Sequence, residues 1–208
     1  MFAFAVWDDN TRTLFLARDR VGKKPLFYAD LPDRVLFASE IKALLQDPAF
    51  HREVDIEAIH HYLSYQSVPA PYCAFRGVKK LPPAHSLLIR NGGEQPACYW
   101  KLSYADKLSV PDEKALAGLQ EEIIERLREA VKVRLMSDVP LGAFLSGGID
   151  SSIITALMAG LMNQPVKTFS IGFEQDEYNE LLYARMVAER YHTDHHEFIV
   201  KPEAQAIF

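Results

Sequence analysis

Cysteine is scarce: Cys73 and Cys98 are the only two thiols among 208 residues. A disulfide framework is therefore not expected, and a reducing cytoplasm is the default compartment. Long apolar runs are lacking as well. Stretches such as residues 1–7 fall far short of the roughly 20 residues a membrane-spanning helix needs, and no charged-then-apolar leader is visible. Positive charge is not in excess either. The formal net charge is −5 with acids and bases interleaved, which leaves no basic footprint for nucleic acid. Repeats and low-complexity tracts are missing too. What remains is a chain 49% hydrophobic and 25% charged, ordinary for a globular protein and long enough for one large domain or two small ones.

Residues 1–7 read as a buried strand that begins without preamble, and a helix starting at Pro202 is cut short at Phe208. Both ends read as those of an internal fragment. Between them, residues 14–17, 26–28 and 35–38 are short apolar runs separated by turns at Gly22-Lys23-Lys24-Pro25 and Asp30-Leu31-Pro32-Asp33. Connections this short predict one antiparallel meander. Ser39 is placed to cap a short helix through Leu45. Asp55 is placed to cap another, with Ile56, Ile59, His60 and Leu63 on one face. Residues 64–84, rich in Pro, Tyr and Ser, read as an ordered connector. A strand over 86–90, the turn Asn91-Gly92-Gly93 and a strand ending at Tyr99-Trp100 read as a hairpin.

The pattern changes near Pro111. Leu116, Leu119, Ile123, Leu127, Val131 and Leu135 recur at helical spacing across 112–135. Strands are then predicted at 141–145, 166–171 and 195–200, alternating with helices at 151–162 and 178–191. That alternation predicts α/β architecture with a doubly wound parallel sheet, following an α+β first part. The domain division read from the sequence is 1–92, a connector over 93–111, and 112–208.

Where the first of these parallel strands meets its helix stands Ser146-Gly147-Gly148-Ile149-Asp150-Ser151-Ser152. Glycines without side chains let backbone N–H groups approach an anion, and the following helix turns its free amides and positive dipole end to the same place. The hydroxyls of Ser146, Ser151 and Ser152 add donors. Asp150 would repel an anion, and a bridging Mg²⁺ reconciles the two. The loop is neither a Walker A loop nor a dinucleotide fingerprint, since Gly-Lys-Ser/Thr and Gly-x-Gly-x-x-Gly are both lacking. The competing reading is a plain strand-to-helix turn with Asp150 or Ser151 as a cap. Elsewhere, Arg18-Asp19-Arg20 reads as an ion-pair cluster supporting the turn at Gly22. His195 and His196, adjacent on a strand, point to opposite faces and are not expected to share a metal.

Ser-Gly-Gly-Ile-Asp-Ser-Ser resembles the signature of the PP-loop ATP pyrophosphatases. Leu135-Met136-Ser137-Asp138-Val139-Pro140-Leu141-Gly142, Phe169-Ser170-Ile171-Gly172-Phe173, Tyr178-Asn179-Glu180 and His195-His196-Glu197 resemble the glutamine-dependent asparagine synthetases among them. The first part agrees: Arg18 to Tyr28 and Ala38-Ser39-Glu40-Ile41-Lys42-Ala43-Leu44 resemble the later part of that family's glutaminase domain, and Gly77 to His85 its inter-domain connector.

The resemblance implies a partial glutaminase αββα sandwich, then a truncated sheet of the adenine-nucleotide α-hydrolase-like type. It implies ATP, Mg²⁺, aspartate and glutamine as the small molecules involved. Ser146, Gly147, Gly148, Asp150, Ser151 and Ser152 would hold pyrophosphate, with Asp150 on Mg²⁺, and Leu145 and Ile171 would hold the adenine. A homodimer is allowed. Family members carry a catalytic cysteine directly after the initiator methionine. Position 2 here is Phe2, and neither Cys73 nor Cys98 sits in a matching context, so the glutaminase nucleophile is not expected in this stretch. The alternatives are a relative that amidates or cyclises another carboxylate, such as a β-lactam-synthetase-like enzyme, and a non-catalytic ATP-binding module.

Overall fold

The computed structural model describes residues 1–90, 96–173 and 180–200. The chain divides into two compact units, Met1–Lys107 and Leu108–Phe208. The predicted turn at Asn91-Gly92-Gly93, the family motif's Tyr178 and Asn179, and the helix start at Pro202 lie outside the described residues. No helix among the described residues is long and apolar enough to cross a membrane.

The first unit runs β1 (Ala3–Asp8), β2 (Thr13–Arg18), β3 (Phe27–Asp30), β4 (Val35–Ala38), α1 (Ile41–Leu44), α2 (Ile56–Tyr65), β5 (Val78–Lys80), β6 (His85–Ile89) and β7 (Ala97–Cys98). The predicted meander divides in two. β1 and β2 pair antiparallel, as do β3 and β4, but β2 turns its other edge to β6 and β3 turns its own to β5. The sheets are therefore ordered β1-β2-β6-β7 and β4-β3-β5. Residues 64–84 are thus more than a connector, because β5 completes the second sheet. Period-2 alternation makes β3 serve two cores. Tyr28 packs with Leu16, Leu26, Leu81 and Leu87, while its neighbour Ala29 packs with Leu44, Phe50, Cys73 and Val78.

The link between β2 and β3 explains why these two strands do not pair. The Arg18 guanidinium donates to the carbonyls of Lys24, Gly22 and Leu81 at 2.8, 2.8 and 2.6 Å. The Asp19 carboxylate accepts from the amides of Phe2, Val21, Lys23 and Lys24 at 3.0–3.3 Å. Arg18 and Asp19 do support the turn at Gly22, but through backbone groups rather than through the expected ion pair. Gly22 sits at φ +66, where a Cβ would lie 2.8 Å from Pro83 Cγ. Arg20 lies over the Trp100 ring, 5.6 Å from its centroid.

Three further expectations change. β1 is an edge strand paired only with β2 among the described residues, and Phe2, Phe4, Val6 and Trp7 are exposed rather than buried. Glu40, not Ser39, stands at the N-cap of α1, and its carboxylate meets Lys42 Nζ at 2.6 Å instead of capping. Asp55 caps α2 as expected, accepting from the amides of Glu57 and Ala58 at 3.0 and 3.2 Å. On α2, however, only Ala58 is buried and Ile59 and His61 are half-buried, while Ile56, His60 and Leu63 of the expected face are exposed. The cause is the returning segment. Asp55 and Arg76 exchange backbone bonds with Ala74 and Glu53, which brings Tyr72 against His61 with ring centroids 4.8 Å apart.

The second unit runs α3 (Glu113–Lys132), β8 (Gly142–Phe144), α4 (Ile149–Leu161), β9 (Lys167–Phe173), α5 (Leu181–Tyr191) and β10 (Asp194–Val200). β8, β9 and β10 form a parallel sheet in the order β10-β9-β8, with α4 and α5 as the connections. Asp112 caps α3 through the Ala115 amide at 2.7 Å. α3 stops at Lys132 rather than Leu135, because Arg134 and Leu135 bond carbonyls three residues back, tightening the last turn. Its apolar stripe is buried only near that end, at Val131, whereas Leu116 and Ile123 are exposed. Val131 packs with Met158 and Val166, and Leu145 packs with Ala184 and Ala188.

Candidate functional site

The parallel pairing of β8 and β9 puts the end of β8 beside Phe169 and Ser170. Leu145, just past β8, donates its amide to the Phe169 carbonyl at 2.9 Å and accepts the Ser170 hydroxyl on its own carbonyl. Its side chain is 1% exposed. The chain then turns through 146–148, and α4 begins at Ile149. Gly147 sits at φ +81, where a Cβ would lie 2.6 Å from Tyr183 Cβ and 2.7 Å from the Ala184 amide nitrogen. The turn is therefore pressed against the first turn of α5, in a conformation and a space that only glycine accepts. Gly148 is the N-cap of α4 and makes no side-chain cap bond. The first amides of the helix have no carbonyl one turn back to bond, and they carry its positive dipole end.

The hydroxyls of this loop bond one another or Gly148. Ser146 Oγ and Ser151 Oγ are 3.0 Å apart, and the Ser151 and Ser152 hydroxyls donate to the Gly148 carbonyl at 3.1 and 2.7 Å. Asp150 is exposed in the first turn of α4. The structure thus brings Ser146, Gly147, Gly148, Asp150, Ser151 and Ser152 together around one helix start.

Beside the loop lies a pocket of about 190 Å³, lined by Leu145, Ser146, Ser170, Ile171, Phe144 and the first residues of α5. Leu145 and Ile171 both border it, but in different ways. Ile171 is 54% exposed and offers its side chain, whereas the Leu145 side chain is committed to Ala184 and Ala188. Phe144 is 79% exposed and supplies apolar wall that sequence reasoning missed. The signal was present: on a strand, the neighbour of a buried residue faces the other way. Glu180 is the one charged residue lining this pocket among the described residues. An anion-accepting helix start next to an apolar slot can hold a phosphate chain and a flat ring together.

The other candidate residues make packing, hydrogen-bond and ion-pair contacts within the chain. His195 Nδ1 meets Thr168 Oγ1 at 2.8 Å, and its Nε2 lies 3.4 Å from Glu197 Oε1. His196 lies on the opposite side, stacked on Phe169 and 3.1 Å from Asp194. Glu197 also takes both prongs of Arg185, and this pairing with Arg185, more than the nearby His195, holds its carboxyl below the usual glutamate range. Among the described residues no three His, Cys, Asp or Glu side chains gather as a metal site. Cys73 is buried in the core under β3, and the Cys98 thiol donates to the Trp100 carbonyl at 3.1 Å. The backbone of Phe2 is held by Asp19 through both its amide and its carbonyl.

Comparison with known proteins bears on both units. Residues 1–100 match the family described as glutamine amidotransferase domain, and residues 122–207 match that described as asparagine synthase. The chain is 37% identical to asparagine synthetase [glutamine-hydrolyzing] 1 of Bacillus subtilis, covering 98% of this chain and 31% of that protein. It is 33% identical to a putative asparagine synthetase [glutamine-hydrolyzing] 2 of Methanocaldococcus jannaschii, covering 97% and 39%. It is 35% identical to amidase chyE of Penicillium rubens, covering 99% and 32%. The chain therefore spans about a third of the length of the curated relatives it matches.

Proposed function

We propose, for a chain that belongs to the glutamine-hydrolysing asparagine synthetase family, that the 146–152 loop holds the pyrophosphate end of ATP while aspartate is adenylated. The observation that carries the reading is the Gly147 turn, locked against α5 with an open helix start on one side and the Phe144–Ile171 pocket on the other. On this reading the amides at the start of α4 and the hydroxyls of Ser146, Ser151 and Ser152 exchange their internal bonds for phosphate oxygens. An oxygen of the aspartate side-chain carboxylate forms a bond to the α-phosphorus, and the bond to pyrophosphate breaks, its charge held by the same donors. Ammonia released from glutamine then attacks the acyl carbon of β-aspartyl-AMP, AMP leaves, and asparagine results.

Phe144 and Ile171 supply apolar contact for the adenine. Leu145 acts from behind, by fixing the strand end. Mg²⁺ fits this site only as an ion held largely by phosphate oxygens and water, since Asp150 is a lone exposed carboxylate; bound so, it would neutralise charge on the leaving group. The fold assignment belongs to the same proposal: the first unit, with β7 included in its sheet, as the later part of a glutaminase αββα sandwich, a connector that starts only after β7 rather than at residue 93, and 112–208 as the start of a doubly wound adenine-nucleotide α-hydrolase-like sheet. So do a cytoplasmic location and a homodimer.

The deciding experiment is pyrophosphate release by the full-length protein with ATP, Mg²⁺ and glutamine, with and without aspartate. Release that does not depend on aspartate removes the assignment. A second reading, adenylation of another carboxylate, is favoured by the similarity to an amidase that is nearly as strong over the same residues. It predicts that a different acid drives release.

A further inference from the structure

We propose that Arg185 and Glu197 act as a positioning brace, holding the first turn of α5 against the Gly147 turn and so setting the affinity of the loop for Mg·ATP without touching the nucleotide. The inference rests on the adenylating reading above. Neither residue lines the pocket beside the loop.

The linkage is short. Ala184, whose amide nitrogen would lie 2.7 Å from a Cβ at position 147, is the chain neighbour of Arg185. Arg185 donates from Nε to Glu197 Oε1 and from Nη2 to Glu197 Oε2, both at 2.7 Å. Glu197 stands opposite Ser170 in the β9–β10 register, and the Ser170 hydroxyl reaches the Leu145 carbonyl next to the loop. The helix and the loop are thus referenced to one sheet by a two-pronged contact.

An isolated exposed ion pair would do little. This one differs chiefly in geometry: both prongs are engaged, and although the Arg185 side chain is 54% exposed, its partner Glu197 is only 23% exposed. It is also buttressed, because His195 Nε2 lies 3.4 Å from Glu197 while its Nδ1 is held by Thr168, which meets Thr193 at 2.8 Å. The helix keeps other anchors, with Ala184 and Ala188 packed on Leu145. Loss of the brace therefore shifts α5 without unfolding the unit.

The test measures Mg·ATP affinity by calorimetry on the full-length protein, together with melting temperature. R185A and E197Q are expected to weaken Mg·ATP binding about tenfold, R185K about threefold, and the exchange R185E/E197R to recover most of the loss. Melting temperatures should fall by no more than a few degrees. A purely structural pair would lower the melting temperature and leave affinity unchanged. Wild type and single variants binding Mg·ATP alike would overturn the brace alone, as would failure of the exchange to recover affinity. Wild-type protein that binds no Mg·ATP would remove the adenylating reading and the brace with it.

Discussion

Replacing Gly147 and Gly148 one at a time by alanine separates two roles that the loop combines. At Gly147 the backbone stands at φ +81, and a methyl group would meet Tyr183 Cβ at 2.6 Å and the Ala184 amide nitrogen at 2.7 Å. A left-handed conformation costs a residue with a Cβ about 1–2 kcal/mol, and forcing an extra methyl into packed backbone costs about 1–3 more. The neighbours are main chain at the start of α5 and a Cβ fixed directly to it, so nothing flexible can swing away. Gly147→Ala should therefore destabilise the second unit by about 2–5 kcal/mol, which at a slope of about 2 kcal/mol/M lowers its urea midpoint by about 1–2.5 M. At Gly148 a Cβ would sit 3.4 Å from Ser146 Oγ, an ordinary contact, and the backbone φ is −68. Gly148→Ala should leave stability within about 0.5 kcal/mol of wild type. It should nonetheless weaken Mg·ATP binding about tenfold, because the methyl stands on the exposed side of the loop where phosphate would approach. Far-UV circular dichroism through a urea titration reads the first effect on α3, α4 and α5, and calorimetry reads the second. A Gly147→Ala protein with an unchanged midpoint would refute the packing argument. A Gly148→Ala protein with unchanged affinity would refute the phosphate cradle.

Other expectations are more local. Desolvation pushes the Asp19 carboxyl upward, but the backbone amides of Lys24, Lys23, Phe2 and Val21 outweigh it and hold the pKa down from 3.8 to about 2. A depressed carboxyl stabilises the fold fully above pH ~4 and loses that contribution as pH falls through about 2; the drop corresponds to about 2 kcal/mol. Asp19→Asn should flatten the acid slope of the urea midpoint between pH 4 and 2, and an unchanged slope would show that the carboxylate does not carry it. Asp150→Asn, at an exposed position, should cut aspartate-dependent pyrophosphate release about a hundredfold without moving the melting temperature. Phe144→Ala should weaken ATP binding with little loss of stability, whereas Leu145→Ala, in the core, should cost about 3 kcal/mol. Equal affinity losses in those two would contradict the assignment of the adenine wall to Phe144.

The second unit was legible because its signals are local. Alternating apolar runs and helical stripes fix the order of β8, α4, β9, α5 and β10, and short joints leave parallel pairing as the solution. The first unit was less so, because strand partners are chosen over long distances. Nothing near residues 14–17 announces that their free edge will be taken by 86–89, or that 78–80 will leave an apparent connector to pair with β3. Side-chain direction failed for the same reason. The spacing of Ile56, Ile59, His60 and Leu63 is a sound helical face, but the buried side of α2 is chosen by where Tyr72 returns. In the loop, residue types suggested the proposed chemistry, while the contact that makes Gly147 obligatory comes from Tyr183 and Ala184, 36 and 37 positions away in the chain.

The two units use backbone amides in contrasting ways, and the contrast bears on which loop can take a ligand. Around Asp19 four amides converge on a carboxylate that the chain itself supplies, and the group is 4% exposed. Those donors are strong enough to overcome the desolvation of a buried charge, so removing the charge would leave them unpaired inside the protein. Such a nest is closed and can only be structural. At 146–152 the donors are of the same kind, yet the anion is not supplied by the chain. Asp150, the acid within the loop, stands in the first helical turn with its side chain exposed. The serine hydroxyls satisfy one another and the Gly148 carbonyl at the surface, and bonds of that kind exchange for a ligand's oxygens at little cost. On the proposed reading, amides of the same kind at the start of α4 would face a polyphosphate in place of a carboxylate from the chain. On that reading, discrimination among phosphate ligands would rest on what lies beside the amides, the apolar wall of Phe144 and Ile171.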